Sequence, residues 1–120
     1  MPDTIAFKIF HAEEWRAFAE AGAFSGSADD RRDGFIHMST AEQTEETVAK
    51  HYANVAGLVI AAFDVEALGA SVRWEPSRGG ALFPHVYGVL TEAALVGSAE
   101  LGPDGVTAAC ARAAKGRQGG

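Results

Sequence analysis

The chain has 120 residues, with ten Lys and Arg against sixteen Asp and Glu, and a formal net charge of −6. This length accommodates one domain, and an acidic chain argues against a protein that binds duplex nucleic acid through its phosphates. No apolar run approaches the roughly 18 residues of a membrane span, and no secretory signal is visible. We therefore expect a cytoplasmic monomer or weak homodimer whose partner is a small-molecule ligand.

The first third of the chain predicts a strand, a helix and a loop. Residues Ile5–Phe10 are rich in β-branched and aromatic side chains, which is typical of a strand. A helix follows, with Trp15 and the residues three and four positions further on one face and Gly22 as its terminator. The polar stretch Phe24–Asp33 is interpreted as an exposed loop.

The next segment predicts a short strand at residues 35–38 followed by a capped helix. Ser39 or Thr40 is expected to cap this helix, and Glu42 or Gln43 completes a capping box. The helix is expected to run to about Ala53.

The second half is dominated by strands. The continuous apolar run Leu58–Phe63 predicts a central strand buried on both sides. Further strands are expected at residues 72–75, 85–90 and 93–96, with a loop at Pro76–Gly80. Helices early and strands late favour an α+β domain with mostly antiparallel or mixed sheets and two main helices. We expect one domain over residues 1–101 and a partly disordered tail over residues 102–120, in which the single cysteine, Cys110, is a small surface or helix residue.

The segment Gly34-Phe-Ile-His-Met-Ser-Thr40 is the first candidate for a functional site. Strand alternation places His37 and Ser39 on one face, next to a helix N-terminus whose free N–H groups favour an anion. The alternative is a buried His37 bonded to the backbone, with Ser39 or Thr40 acting only as a cap. The pattern does not decide between the two.

The second candidate segment surrounds a glycine-rich loop. Trp74 and Glu75 precede this loop, Arg78 lies within it, and His85 and Tyr87 follow it on one strand face. Arg78 would be able to grip a carboxylate or phosphate. The alternative is an exposed Glu75–Arg78 ion pair of small energetic value and a Tyr87 in the core. The His and Cys spacing indicates no metal site.

Several segments spread from about residue 5 to residue 101 carry a family resemblance. They are Ile9-Phe10-His11 with Trp15, Asp33-Gly-Phe-Ile-His-Met-Ser-Thr40 with Gln43, Arg73-Trp-Glu75, and Gly80 with Phe83-Pro-His-Val-Tyr-Gly88. In this order and spacing they resemble the small bacterial proteins gathered as domain of unknown function family 952. That family is distantly similar in fold to ADP-ribosyltransferases and RNA 2′-phosphotransferases, which bind NAD in a cleft between two small sheets.

This resemblance implies roles for individual residues. A His on an early strand contacts the ribose in those enzymes, which implies that role for His37, with Ser39 or Thr40 beside it. His51 and Tyr52 are candidates for a second His or aromatic residue. Glu75 is available as the late catalytic Glu, in a motif that differs from the transferase one.

Two hypotheses follow. In the first, a cleft binds a small polar, nucleotide-like ligand, and NAD is the first cofactor to test. Its catalytic candidates are His37, Glu75 and His85, and its ligand-binding candidates are Ser39, Thr40, Trp74, Arg78 and Tyr87. In the second, the protein is a non-catalytic binding or interaction module in which the histidines fasten the fold.

Overall fold

In the part of the chain that the structure describes, strands and helices alternate as far as Leu68, and four consecutive strands then precede the last helix. The structure is a computed structural model, which describes residues 4–116 without the side chain of Arg78. The strands are β1 (Ile5–Phe10), β2 (Ala23–Phe24), β3 (Ile36–His37), β4 (Val59–Asp64), β5 (Val72–Ser77), β6 (Ala81–Val86), β7 (Leu90–Thr91) and β8 (Leu95–Glu100). The helices are α1 (Ala12–Ala21), α2 (Ala28–Asp33), α3 (Ala41–His51), α4 (Val65–Leu68) and α5 (Val106–Ala114). No helix within these residues is long and apolar enough to cross a membrane.

Antiparallel sheets form the framework. In the first sheet β4 lies between β1 and β8, which confirms the central strand predicted from the apolar run. In the second, β6 lies between β3 and β5, and a third pairs β2 with β7. Reciprocal backbone hydrogen bonds between Phe7 and Ser39 link the first two sheets. The domain is therefore α+β with antiparallel sheets, as predicted.

Hydrophobic cores cover both faces of the first sheet. Strand alternation sends Phe10 to one face and Phe7 to the other. The face with Phe7 packs against α3 and α5. On the opposite face, Phe10 makes ring contacts with Trp15, Phe18, Phe24 and Phe63. Lys8 shares this second face, so that β1 carries an ammonium group into the interior.

The predicted helix ends agree closely with the structure. Gly22 ends α1 in the left-handed conformation, with a φ of 75° that a residue with a Cβ rarely adopts. Of the two residues proposed to cap α3, Thr40 is the cap, and Gln43 completes the capping box. The helix ends at His51, two residues before the predicted end.

The prediction of a loop over Phe24–Asp33 is wrong, because residues 28–33 form α2. Ser27 Oγ accepts a hydrogen bond from the backbone N–H of Asp30 over 3.2 Å, and Asp30 Oδ2 accepts from the backbone N–H of Ser27 over 2.9 Å. This reciprocal capping box starts the helix. The Ser27-x-x-Asp30 spacing was the available signal, but the polar composition of the segment favoured a loop.

The C-terminal segment also differs from the prediction, because α5 is part of the domain. Ala109, Cys110 and Ala113 are buried against the first sheet. Small residues let this helix approach closely, and Gly97 of β8 lies directly under its C-terminal end. The low apolar content of this segment suggested a tail, yet α5 buries its small side chains by packing closely against β8. Residues 117–120, part of the predicted disordered end, lie outside the described residues.

The β5–β6 hairpin is longer than predicted. Strand β5 continues through Pro76 and Ser77, which were assigned to a loop. Proline is tolerated there because β5 is an edge strand, where a missing N–H need not break the ladder. A 3-10 turn at residues 78–80 leads into β6, which ends at Val86 and leaves Tyr87 just beyond the strand.

Candidate functional site

A cavity of about 620 Å³ opens between the first and second sheets. Its walls come from β1 and the start of α1, from α2, from the segment that joins β3 to α3, from the C-terminal end of α3, and from β6. The chain has four histidines, and all four line this cavity: His11, His37, His51 and His85. They come from separate elements, so the fold concentrates the imidazole chemistry of the whole chain in one place.

His37 is held on both sides by carboxylates of α2. Its Nδ1 lies 2.6 Å from Asp30 Oδ1, and its Nε2 lies 2.9 Å from Asp33 Oδ2. Carboxylates only accept hydrogen bonds, so both contacts are hydrogen bonds when the ring carries both protons. The backbone N–H of His37 also donates to Asp30 Oδ1 over 3.1 Å. The ring therefore sits in a fixed orientation, with 40% of its side chain exposed.

A buried ion pair between Lys8 and Asp30 stabilises this arrangement. Lys8 Nζ lies 2.9 Å from Asp30 Oδ2 and donates a further hydrogen bond of 2.9 Å to the backbone carbonyl of His37. The side chains of Lys8 and Asp30 are only 5% and 2% exposed. Each charge removed from water thus faces an opposite charge and additional hydrogen-bond partners, the condition under which buried pairs are tolerated.

The same contacts keep Asp30 ionised. Burial by itself raises the pKa of this carboxyl, but the hydrogen bond from His37, the charge of Lys8 and the backbone N–H groups of Ser27 and His37 outweigh it. The pKa of Asp30 is therefore well below its usual range. Asp30 is thus an anion at neutral pH, and its contacts join β1, α2 and β3.

His85 forms a second imidazole–carboxylate pair. Its Nδ1 lies 2.7 Å from Glu75 Oε1, and the Tyr87 hydroxyl donates to the same oxygen over 2.8 Å. These hydrogen bonds from His85 and Tyr87 lower the pKa of Glu75. Because the carboxylate accepts at Nδ1, that nitrogen carries a proton, and Nε2 is left as the basic nitrogen of a neutral ring.

Aromatic contacts fix the plane of His85. Phe35 stacks on the imidazole with ring centroids 4.0 Å apart and planes 22° apart, and it also touches the rings of His37 and Tyr87. Residues 37 and 85 are direct cross-strand partners of β3 and β6, and their rings lie 5.8 Å apart. The register of one short strand pair thus brings the two predicted histidine segments together.

The remaining residues predicted for the site differ in their position relative to the cavity. Ser39 lines the cavity, and its hydroxyl lies 3.2 Å from that of Thr47. Glu75 lies behind His85 and is not part of the described lining, so its position suits orienting His85 rather than touching a ligand. By strand alternation, Trp74 lies on the opposite face of β5 from Glu75. The side chain of Arg78 lies outside the described part of the structure.

Thr40 is occupied by the backbone of α3. Its hydroxyl accepts a hydrogen bond of 3.2 Å from the backbone N–H of Gln43, whose side chain accepts in return from the N–H of Thr40. We expect Thr40→Ala to lower the free energy of unfolding by about 1–2 kcal/mol, because the first turn of α3 loses its cap. Chemical denaturation measures this change. Thr40→Ser keeps the hydroxyl and should be nearly neutral, and a stable Thr40→Ala would contradict the capping role.

Sequence reasoning missed the groups that hold His37. Lys8 stands in an otherwise apolar strand, and a lysine at such a position signals a buried charge that needs a partner. That partner, Asp30, is 22 residues away, and no local pattern connects the two. His11 and Glu14 also line the cavity. Within the described residues, no cluster of His, Cys, Asp or Glu has the geometry of a metal site.

Chemically, the arrangement offers acid–base groups in a partly enclosed space. Two imidazoles with rings 5.8 Å apart are each fixed by a carboxylate. Such a pairing orients the ring through Nδ1. Nε2 of His85 is left for a ligand or a reacting proton, whereas Nε2 of His37 is bonded to Asp33. The cavity volume lies in the roughly 300–1,000 Å³ range of small-molecule sites.

Together, the fold and the site define a class of small α+β domains with a histidine-lined cavity between antiparallel sheets. The chain belongs to the family described as "Protein of unknown function (DUF952)", whose model matches residues 9–98. The family predicted from the sequence motifs is therefore confirmed.

Solved structures of one bacterial protein are similar to this chain. The crystal structure of protein CC0527 from Caulobacter crescentus is 45% identical, with a TM-score of 0.79, over 85% of this chain and 91% of that chain. A crystal structure of its double mutant gives 44% identity and the same TM-score over the same shares of the two chains. The solution NMR structure gives 45% identity and a TM-score of 0.73 over 86% and 90% of the two chains. No curated protein sequence matches the chain.

Proposed function

We propose that the cavity binds a small polar, nucleotide-like ligand and that His85 is its acid–base group. The observation that carries the proposal is the convergence of all four histidines of the chain on one cavity. Histidines needed only for packing or for surface polarity have no reason to meet, whereas a site that binds hydroxyl groups or transfers protons needs several donors and acceptors in one place.

The two imidazoles have different parts in this proposal. His85 is buried and oriented by Glu75, so its Nε2 is the candidate base, and Glu75 is a positioning residue. His37 is more exposed and its Nε2 bonds to Asp33, which a ligand hydroxyl would replace. The distant fold resemblance to ADP-ribosyltransferases implies a ribose-contacting role for His37, which makes NAD and ADP-ribose the first compounds to test.

Ligand binding is tested by thermal unfolding of the wild type with NAD, ADP-ribose, nucleosides and inorganic phosphate. A true ligand raises the free energy of unfolding by about 2.7 kcal/mol at 100 times its Kd. His85→Asn keeps an amide N–H near the position of Nδ1 and removes Nε2, so we expect it to fold and to lose the shift. His37→Asn is expected to behave in the same way.

A matched control lies away from the cavity. Arg112 of α5 pairs with Asp104 on the surface, and Arg112→Lys should keep the full ligand-induced shift. A shift that survives both histidine substitutions would contradict the proposal. So would the absence of a shift with every compound in the panel.

A second candidate function is a non-catalytic interaction module with structural histidines. The observation that favours it is the bonding of both ring nitrogens of His37 to carboxylates of α2. This candidate predicts that His37→Ala lowers the free energy of unfolding by about 1–3 kcal/mol, because Asp30 loses a buried partner. An unchanged denaturation midpoint would remove the structural role.

A further inference from the structure

The end of the cavity beside α1 differs in chemistry from the end that holds His85. The rings of His11 and Tyr52 are in contact there, with centroids 5.3 Å apart, and Glu14 is bonded to the backbone N–H of His11 over 2.9 Å. His11, Glu14 and Tyr52 all line the cavity. The face of a tyrosine ring attracts cations through its quadrupole, and a nearby carboxylate adds an opposite charge.

The charged side chains that line the cavity also favour a cation. Apart from the four histidines, the charged side chains of the described lining are four carboxylates and two basic groups, Lys8 and Arg32. Lys8 is held by Asp30, and Arg32 lies 3.4 Å from Asp29 and 3.1 Å from Asp33 on the surface. The lining therefore has more carboxylates than Lys and Arg side chains. The carboxylates are those of Glu14, Asp29, Asp30 and Asp33.

The pKa of Tyr52 is affected by the same carboxylates. Burial, followed by the charges of Glu14, Asp30 and Asp29, raises the pKa of its phenol to about 12. Three carboxylates from two helices therefore act on the same hydroxyl, which supports a negative electrostatic potential at this wall. A positive charge on a ligand would be stabilised at this wall, and a phosphate would be repelled.

From the juxtaposition of the His11 and Tyr52 rings with the Glu14 carboxylate, we infer that the ligand carries a positive charge at this end of the cavity. Within the nucleotide-like class, the favoured ligand is a nucleoside with a cationic base. The inference rests on the function proposed for the cavity and adds the charge of the ligand. Phosphate groups, when present, are expected to lie away from α1.

Pairs of compounds that differ by one charge test the inference. Nicotinamide riboside is a cation, and its dihydro form is neutral. At neutral pH 1-methyladenosine is a cation and adenosine is neutral. Isothermal titration calorimetry with the wild type is expected to show tighter binding of the cationic member of each pair, by roughly tenfold.

A matched pair of variants locates the effect. Glu14→Gln removes the charge but keeps an oxygen that accepts from His11 in the capping box. It is expected to reduce the preference for the cation by roughly threefold or more. Glu13→Gln makes the same change one residue earlier, outside the described lining, and should leave the preference intact.

Each outcome has a defined consequence. Equal affinity for the cationic and neutral members would overturn the inference and leave the proposed function standing. Equal loss of preference in Glu14→Gln and Glu13→Gln would overturn it as well, because the effect would then be one of net charge. If none of the four nucleosides binds but ADP-ribose does, the inference alone fails. If no compound of either panel binds, the proposed function fails with it.

Discussion

Lys8→Met is expected to lower the free energy of unfolding by about 3–5 kcal/mol, since it leaves the Asp30 carboxylate buried without its counter-charge. Methionine matches the length of the lysine stem, so the loss comes from the charge rather than from a cavity. The expected measurement is a lower midpoint in chemical denaturation with an unchanged slope. Such a loss is a large fraction of the roughly 5–15 kcal/mol that stabilises a small domain.

Two comparisons separate the buried charge from other effects. The double variant Lys8→Met with Asp30→Asn removes both charges and is expected to regain part of the loss. Lys50→Met, an exposed substitution in the last turn of α3, should change the midpoint by only a few tenths of a kcal/mol. Similar losses for Lys8→Met and Lys50→Met would refute the buried ion pair.

The same pair gives a pH dependence with a defined sign. The pKa of Asp30 is lower in the folded state than its unfolded value of about 3.9, so the unfolded chain binds more protons in acid. The stabilisation is complete above that unfolded pKa and is lost as the pH falls through the folded pKa. Asp30→Asn, which cannot titrate, should show a smaller loss of stability than the wild type between about pH 5 and pH 2.

Gly97→Ala is expected to be the most damaging small substitution in the first sheet. A Cβ at this position would clash with the backbone carbonyl of Ala113 and lie 2.9 Å from the Cα of Gly116, and backbone atoms cannot move aside as a side chain can. We expect α5 to shift away from β8, with a loss of roughly 3 kcal/mol in the free energy of unfolding. Denaturation measures the loss.

Cys110 provides a direct readout of that shift. Its thiol is buried on α5 and makes a hydrogen bond with Thr44 of α3, and burial raises its pKa, so it should react slowly with a thiol reagent in the wild type. Gly97→Ala should accelerate the reaction. Gly88→Ala is the matched control, because its added Cβ would meet only Ser71 at an ordinary 3.5 Å. Normal stability and slow labelling of Gly97→Ala would contradict the close approach of α5.

Local signals in the sequence were enough for most of the first sheet and for the helix ends. The apolar run of β4, the glycine after α1 and the Thr40–Gln43 spacing each act within a few residues, so the chain itself specifies them. The His37 and His85 segments were identified for the same reason, because each joins unusual polar residues to a strand. Helix α5 was missed, since its stability depends on a close approach to Gly97 that no local pattern shows.

What the tertiary structure alone decided is the assembly of the site. The pairing of β3 with β6 places His37 beside His85. Helix α2 places Asp30 within hydrogen-bond distance of Lys8 and His37. The fold also places Glu75 behind His85, although the sequence suggested a direct catalytic role for Glu75. Which carboxylate meets which imidazole depends on strand register and on helix packing between residues far apart in the chain. The sequence by itself determined which residue types were available and the elements that carry most of them. Their contacts were decided by the fold, because a buried charge can be placed only where a partner from another element neutralises it.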